Sequence, residues 1–135
     1  MADFLGKVYK YERSENDEAY LDFLGIQGDN RAAYLNAKPS VKLTKNGDNY
    51  TFDIMLGERT ISNTFQPGKD FDEQMAPGVT YKSTCIVESN KLLQMQQHPS
   101  GKLITITREF SPAEMKATTT AEGWSGSATR YYKAV

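Results

Sequence analysis

The chain has 135 residues, 24% of them charged, and a net charge of −1. That is a size for one domain spanning 1–135, with no charge excess to drive adhesion to nucleic acid or to membrane surfaces. Its apolar runs fall short of the ~18 residues of a membrane span, its first residues lack the basic and apolar regions of a secretory signal, and Cys85 as the sole cysteine rules out an internal disulfide and fits a reducing, cytoplasmic setting.

A first strand is predicted over residues 7–12, with Tyr9 and Tyr11 on one face. Ser14, Glu15, Asn16 and Asp17 then read as a helix start, Ser14 capping free amides and Asp17 reaching back. The helix that follows sets Ala19, Tyr20, Phe23 and Leu24 on one side, with Asp17, Glu18 and Asp22 elsewhere, and Gly25 ends it. A second short helix begins at Asp29 or Asn30, includes Tyr34 and Ala37, and stops before Pro39.

Beyond Pro39 the pattern alternates with period two. Asn46-Gly47-Asp48 marks a hairpin between strands at 41–45 and 50–56. Further strands are expected at 60–65, 70–75, 80–87, 91–96, 103–110, 115–120 and 127–133, punctuated by Pro67-Gly68, Pro77-Gly78, Pro99-Ser100-Gly101 and Gly123. About ten short strands with no room for crossover helices imply an all-β antiparallel up-and-down barrel or a sandwich. A cavity-bearing barrel is favoured because the apolar strand faces also carry Asn63, Arg108, Thr119 and Arg130, which a dry core would exclude.

The two arginines are the chemical signal. Arg130 shares a strand face with Tyr132, and Arg108 shares one with Ile104, Ile106 and Phe110. A cation on an apolar face requires a partner. One reading is a seat for an anion; the other pairs both arginines with internal acids such as Glu73, on the face of Phe71 and Met75, and binds nothing. Ile54, Met75, Met95, Ile106 and Met115 are candidates for contact with an apolar ligand tail, some of them belonging instead to a cluster that closes the barrel. Tyr20, Leu24, Tyr34 and Ala37 are candidates for a portal or for packing the helices on the rim.

Enzyme readings find no support. His98, beside Pro99, is expected in a turn and solvated, and Cys85 is expected to be a buried, inert thiol. Without a second histidine or cysteine there is no soft-metal cluster, and no glycine spacing suits a phosphate loop. No metal or cofactor is expected.

The sequence resembles the intracellular lipid-binding proteins, the family of fatty-acid-binding and cellular retinoid-binding proteins. The resemblance runs end to end through Phe4-x-Gly6, Ser14-Glu15-Asn16, Tyr20-Leu21 with Leu24-Gly25, Lys38-Pro39, Asn46-Gly47-Asp48, Pro67-Gly68 with Phe71-Asp72-Glu73-Gln74, Thr107-Arg108-Glu109 and the closing Thr129-Arg130-x-Tyr132. It implies a lipocalin-like ten-stranded antiparallel β-barrel with a helix-turn-helix lid between the first two strands. It also implies that Arg108, Arg130 and Tyr132 hold a ligand carboxylate, directly or through water, since retinol-binding members generally carry glutamine at arginine positions. A monomeric carrier of long-chain fatty acid is expected, in transient contact with membranes and without nucleic acid. Retinoic acid, another hydrophobic carboxylate, or a protein-interaction role with a vestigial cavity are the alternatives.

The chain departs from the family pattern at Asp17, where many members carry phenylalanine, and at Glu58, a portal position often held by phenylalanine. Ala76-Pro77-Gly78-Val79 replaces a common Asp-Gly-Arg turn, and the segment from Ser111 to Gly123 is slightly long. These departures bear on tail preference and ligand ingress, and leave the seat intact.

Overall fold

The ten strands form one sheet in the order β4-β3-β2-β1-β10-β9-β8-β7-β6-β5, antiparallel throughout and rolled into a nearly closed barrel. The structure, a computed structural model, describes residues 4–76, 79–99 and 101–135, leaving aside the side chains of Met75, Ala76 and Val79. The elements are β1 (Val8–Glu15), α1 (Asp17–Leu24), α2 (Gly28–Asn36), β2 (Ser40–Asn46), β3 (Asn49–Leu56), β4 (Arg59–Phe65), β5 (Asp70–Ala76), β6 (Val79–Glu88), β7 (Lys91–Gln97), β8 (Leu103–Phe110), β9 (Glu114–Ala121) and β10 (Ala128–Ala134). The expected count, order and helix placement are all present. The expected Pro77-Gly78 break lies outside the described residues.

Strand alternation sorts the side chains. On β2, Val41 and Leu43 are buried between the less buried Lys42 and Thr44, and on β9 Met115 and Ala117 alternate with exposed Lys116. The inward residues form two apolar clusters. One contains Tyr9, Leu43, Phe52, Phe110 and Met115 and fills one end of the barrel, with Phe110 stacked on Phe4 at 4.7 Å between centroids and edge-on to Tyr9 at 5.5 Å. The other joins Tyr20 and Leu21 of α1 to Ile104, Ala121 and Ala128. Along β8, β9 and β10 the chain therefore runs between a lid cluster and a floor cluster, and the residues between them face the interior.

The sheet's end strands, β4 and β5, are joined by a side chain standing in for a ladder. Asn63 donates from Nδ2 to the Gln74 carbonyl at 3.0 Å, and its Oδ1 accepts the Gln74 amide at 2.7 Å. An inward asparagine is thus satisfied by the seam itself.

The helix start differs from expectation. β1 continues to Glu15 through a register shift between Tyr11 and Arg13, so Ser14 stays in the strand, hydrogen-bonded to the Tyr11 hydroxyl at 3.0 Å. Asn16 is the residue before α1, in a left-handed conformation without a side-chain cap, and its Nδ2 donates to the Ser127 carbonyl at 3.0 Å. On α1 the fully buried side chain is Leu21, and Asp17 is buried as well, rather than on the solvent side. Gly25 closes the helix at φ 74°, where its lack of a side chain lets the amide turn back to the Asp22 and Leu21 carbonyls.

Helices of 8 and 9 residues are too short to be stable alone. Tertiary contacts hold them. Phe23 stacks on Trp124 at 6.0 Å and Tyr20 lies 5.7 Å from the same ring. Trp124 fits tightly against Gly126, where any Cβ would stand 2.8 Å from the indole.

Candidate ligand-binding site

Antiparallel register places the two arginines in one row. Arg108 of β8 is opposite Ala117 of β9, and Ala117 is in turn opposite Arg130 of β10. Two strand spacings, roughly 10 Å, separate their backbones, and the side chain between them is only a methyl group. The next row holds Phe110, Met115 and Tyr132. Inward parity and register thus bring Arg108, Arg130 and Tyr132 to one wall.

The arginines differ in their partners. Arg130 donates from Nη2 to Asp17 Oδ2 at 3.0 Å and to the Tyr34 carbonyl at 3.0 Å, and from Nε to Asp17 Oδ2 at 3.2 Å. The Tyr34 and Tyr11 rings lie 4.5 and 5.1 Å from its Cζ. Arg108 instead donates to the neutral amide of Gln94 at 2.8 Å and lies over the Phe52 ring at 4.4 Å. Among the described residues it has no ion pair. Glu73 is an internal acid, as one expectation had it, but it pairs with neither arginine directly. Its Oε1 accepts from Ser83 Oγ at 2.8 Å, Gln94 Nε2 at 2.6 Å and Gln96 Nε2 at 2.8 Å. Gln94 therefore relays between Glu73 and Arg108.

A cavity of about 200 Å³ lies beneath the lid. Tyr20, Leu24, Ile26 and Tyr34 line it from the helical side, Ile54, Ile104, Ile106 and Thr119 from the barrel wall, and Arg108, Glu73, Gln96, Tyr81 and His98 add polar groups. Ligand pockets are commonly some 300–1,000 Å³, and this cavity lies somewhat below that range. Desolvation by burial raises the Tyr34 phenol to about 12, Arg130 pulling the other way. Burial likewise raises Tyr132 against the pull of Arg130 and Arg108.

Several expected residues lie elsewhere. Met95 points to the opposite face of β7 from buried Leu92, Gln94 and Gln96. The hairpin register fixes this, since Gln96, Gln94 and Leu92 stand opposite inward Ile104, Ile106 and Arg108. Met115 is fully buried within the floor cluster rather than along the cavity. Ala37 follows α2 as its C-cap, its amide bonded to the Ala33 carbonyl at 3.0 Å. The Met75 side chain lies outside the described residues.

His98 is half-buried and lines the cavity, edge-on to Tyr81 at 5.7 Å, rather than solvated. Burial and Lys102 push its pKa down. Cys85 is buried, and desolvation raises its thiol to about 12 despite the opposing pull of Arg108. The folded protein is therefore expected to react negligibly with a thiol-specific disulfide reagent at pH 8 and to release one equivalent on unfolding. Full reaction before unfolding would contradict the buried assignment.

A rolled antiparallel sheet enclosing an apolar cavity with inward cations, capped by a helical pair, is the architecture of an internal-cavity binding protein. The chain belongs to the lipocalin / cytosolic fatty-acid binding protein family, whose family model matches residues 1–109. It is 36% identical over 131 residues to fatty acid-binding protein 1 of Manduca sexta, covering 97% of this chain and 98% of the relative. Among solved structures, the fatty-acid-binding protein isolated from Manduca sexta superposes with a TM-score of 0.89 at 31% identity, covering 97% of this chain and 99% of the other. The Schistosoma mansoni fatty acid binding protein in complex with arachidonic acid superposes with a TM-score of 0.87 at 32% identity, covering 100% and 98%.

Proposed function

We propose that the protein is a cytoplasmic, monomeric carrier that binds a long-chain fatty acid non-covalently in the barrel and shuttles it between membranes and enzymes. The observation that carries this reading is Arg108, a cation in the wall of the internal cavity, beside Ile54, Ile104 and Ile106, with only a neutral amide as its hydrogen-bond partner among the described residues. A ligand carboxylate would supply charge-assisted hydrogen bonds, with Arg130 and Tyr132 completing the seat. A tail along Ile54, Ile104 and Ile106 would add about 0.8 kcal/mol per buried methylene, enough for micromolar or tighter binding after association costs. The names of the relatives and the arachidonic acid complex support the same ligand class.

The test compares oleate with methyl oleate in displacing a fluorescent fatty acid from delipidated protein. Arg108→Gln is expected to weaken oleate about tenfold or more, an ion-pair-sized effect of ~1.4 kcal/mol, and to weaken the ester much less. Equal losses contradict the ion-pair role. Native mass spectra that stay bare after incubation with fatty acids and retinoids overturn the carrier function.

A further inference from the structure

The carboxylate reading leaves one feature unabsorbed, and the inference drawn from it rests on that reading. The Arg130 half of the seat is already filled by the chain itself. Asp17, on the first turn of α1, holds Arg130 through Oδ2, and the two side chains are only 5% and 12% exposed. The same guanidinium donates to the Tyr34 carbonyl on α2. One side chain of β10 therefore fastens both lid helices to the barrel wall, α1 by charge and α2 by its backbone.

Asp17 is an imperfect tenant. Its Oδ1 is buried with no hydrogen-bond partner among the described residues, so half of the carboxylate is desolvated without compensation. The surrounding charges already balance: Arg108 and Arg130 are offset by Asp17 and Glu73. A ligand carboxylate brought into this row would add a second anion beside Asp17 in a low-dielectric site, which like-charge repulsion strongly disfavours. Asp17 sits at the rim end of α1, where its sequence neighbours Asn16 and Glu18 are both exposed.

We propose that Asp17 is a resident counter-ion that a ligand acid must displace from Arg130, and that this exchange releases the lid. Asp17 is then a specificity-determining residue. It lowers the apparent affinity for acids by the fraction of time it occupies the seat, while a neutral ligand that leaves the Asp17–Arg130 pair closed is not subject to that competition. If the pair is closed about 90% of the time, the apparent dissociation constant for an acid is roughly tenfold above its intrinsic value.

The test measures oleate and methyl oleate affinities for the parent, Asp17→Asn, Arg130→Gln and the double variant. Asp17→Asn is expected to raise the ratio of acid to ester affinity about tenfold, and the rise is expected to vanish in the Arg130→Gln background. A parent that prefers acid to ester, with Asp17→Asn leaving the ratio unchanged, overturns this inference and leaves the carboxylate reading standing. A ratio near one in both the parent and Asp17→Asn overturns both. A preference for acid that emerges only in Asp17→Asn supports the exchange and means that the native chain takes acid and ester alike. Should Asp17→Asn fail to fold, the parent labelled with carboxyl-13C aspartate decides the matter. Oleate is expected to shift the Asp17 carboxyl and Arg130 Nε–H signals while methyl oleate does not, and oleate binding that leaves both signals in place overturns the proposal.

Discussion

A Phe110→Ala protein is expected to unfold about 10 °C or more below the parent, a loss of about 3–5 kcal/mol. Phe110 is 2% exposed, at the floor end of β8, stacked on Phe4 and edge-on to Tyr9. Removing its ring forfeits both aromatic contacts and the transfer free energy of the side chain. The neighbouring backbone is fixed by ladders on both sides, to β7 and β9, so the void cannot collapse freely. Calorimetry reads the shift. A drop of only a degree or two would mean that the floor cluster repacks, and that the barrel end is softer than its burial indicates.

Replacing Glu73 with leucine is expected to destabilise the fold by about 2 kcal/mol or more, because Ser83 and Gln94 each lose a buried acceptor and an orphaned buried donor costs about 1–3 kcal/mol. Glu73→Gln retains an acceptor oxygen and gives up only charge assistance, so its cost should stay below about 2 kcal/mol. Urea denaturation with an unchanged slope distinguishes the two. The opposite ranking, leucine more stable than glutamine, would mean that the buried carboxylate is a net electrostatic burden. The hub would then matter for orienting Gln94 toward Arg108 rather than for holding the barrel.

Arg108, Arg130 and Tyr132 differ from Asp17 in how legible each is in the sequence. Arg108, Arg130 and Tyr132 could be read from the sequence because a strand has only two faces, and a cation that shares its face with Ile104, Ile106 and Phe110 stands out. Turns built on Asn46-Gly47, Pro67-Gly68 and Gly123 likewise divided the chain into the strands observed. Where two faces of a strand look equally apolar, parity alone fails. On β7 the pair Leu93 and Met95 competes with Leu92, Gln94 and Gln96, and only the register with β8 decides. Pairing across the turn after His98 was the signal that could have exposed the two glutamines.

Asp17 was hidden for a different reason. Beside Glu18 and Asp22 it looks like one more solvated helix acid, and its partner Arg130 is 113 positions away. Nothing local marks such a pairing. The one trace was the departure from the family pattern at that position. At that position the chain carries a carboxylate that pairs with Arg130. His98 was misplaced by the assumption that a residue next to proline in a turn faces water, whereas the turn folds its ring over Tyr81.

The seam between β4 and β5 is held by a side chain where other neighbouring strands are held by backbone ladders. Elsewhere the wall is stitched by backbone ladders, interrupted by register shifts in β1–β10 and β5–β6. Across the seam, Asn63 bridges to the Gln74 backbone with its own amide group, and a side chain can swing where a backbone cannot. Should the barrel widen around a bulky or bent occupant, this line is where it is expected to part, ahead of the nine pairings made by backbone ladders.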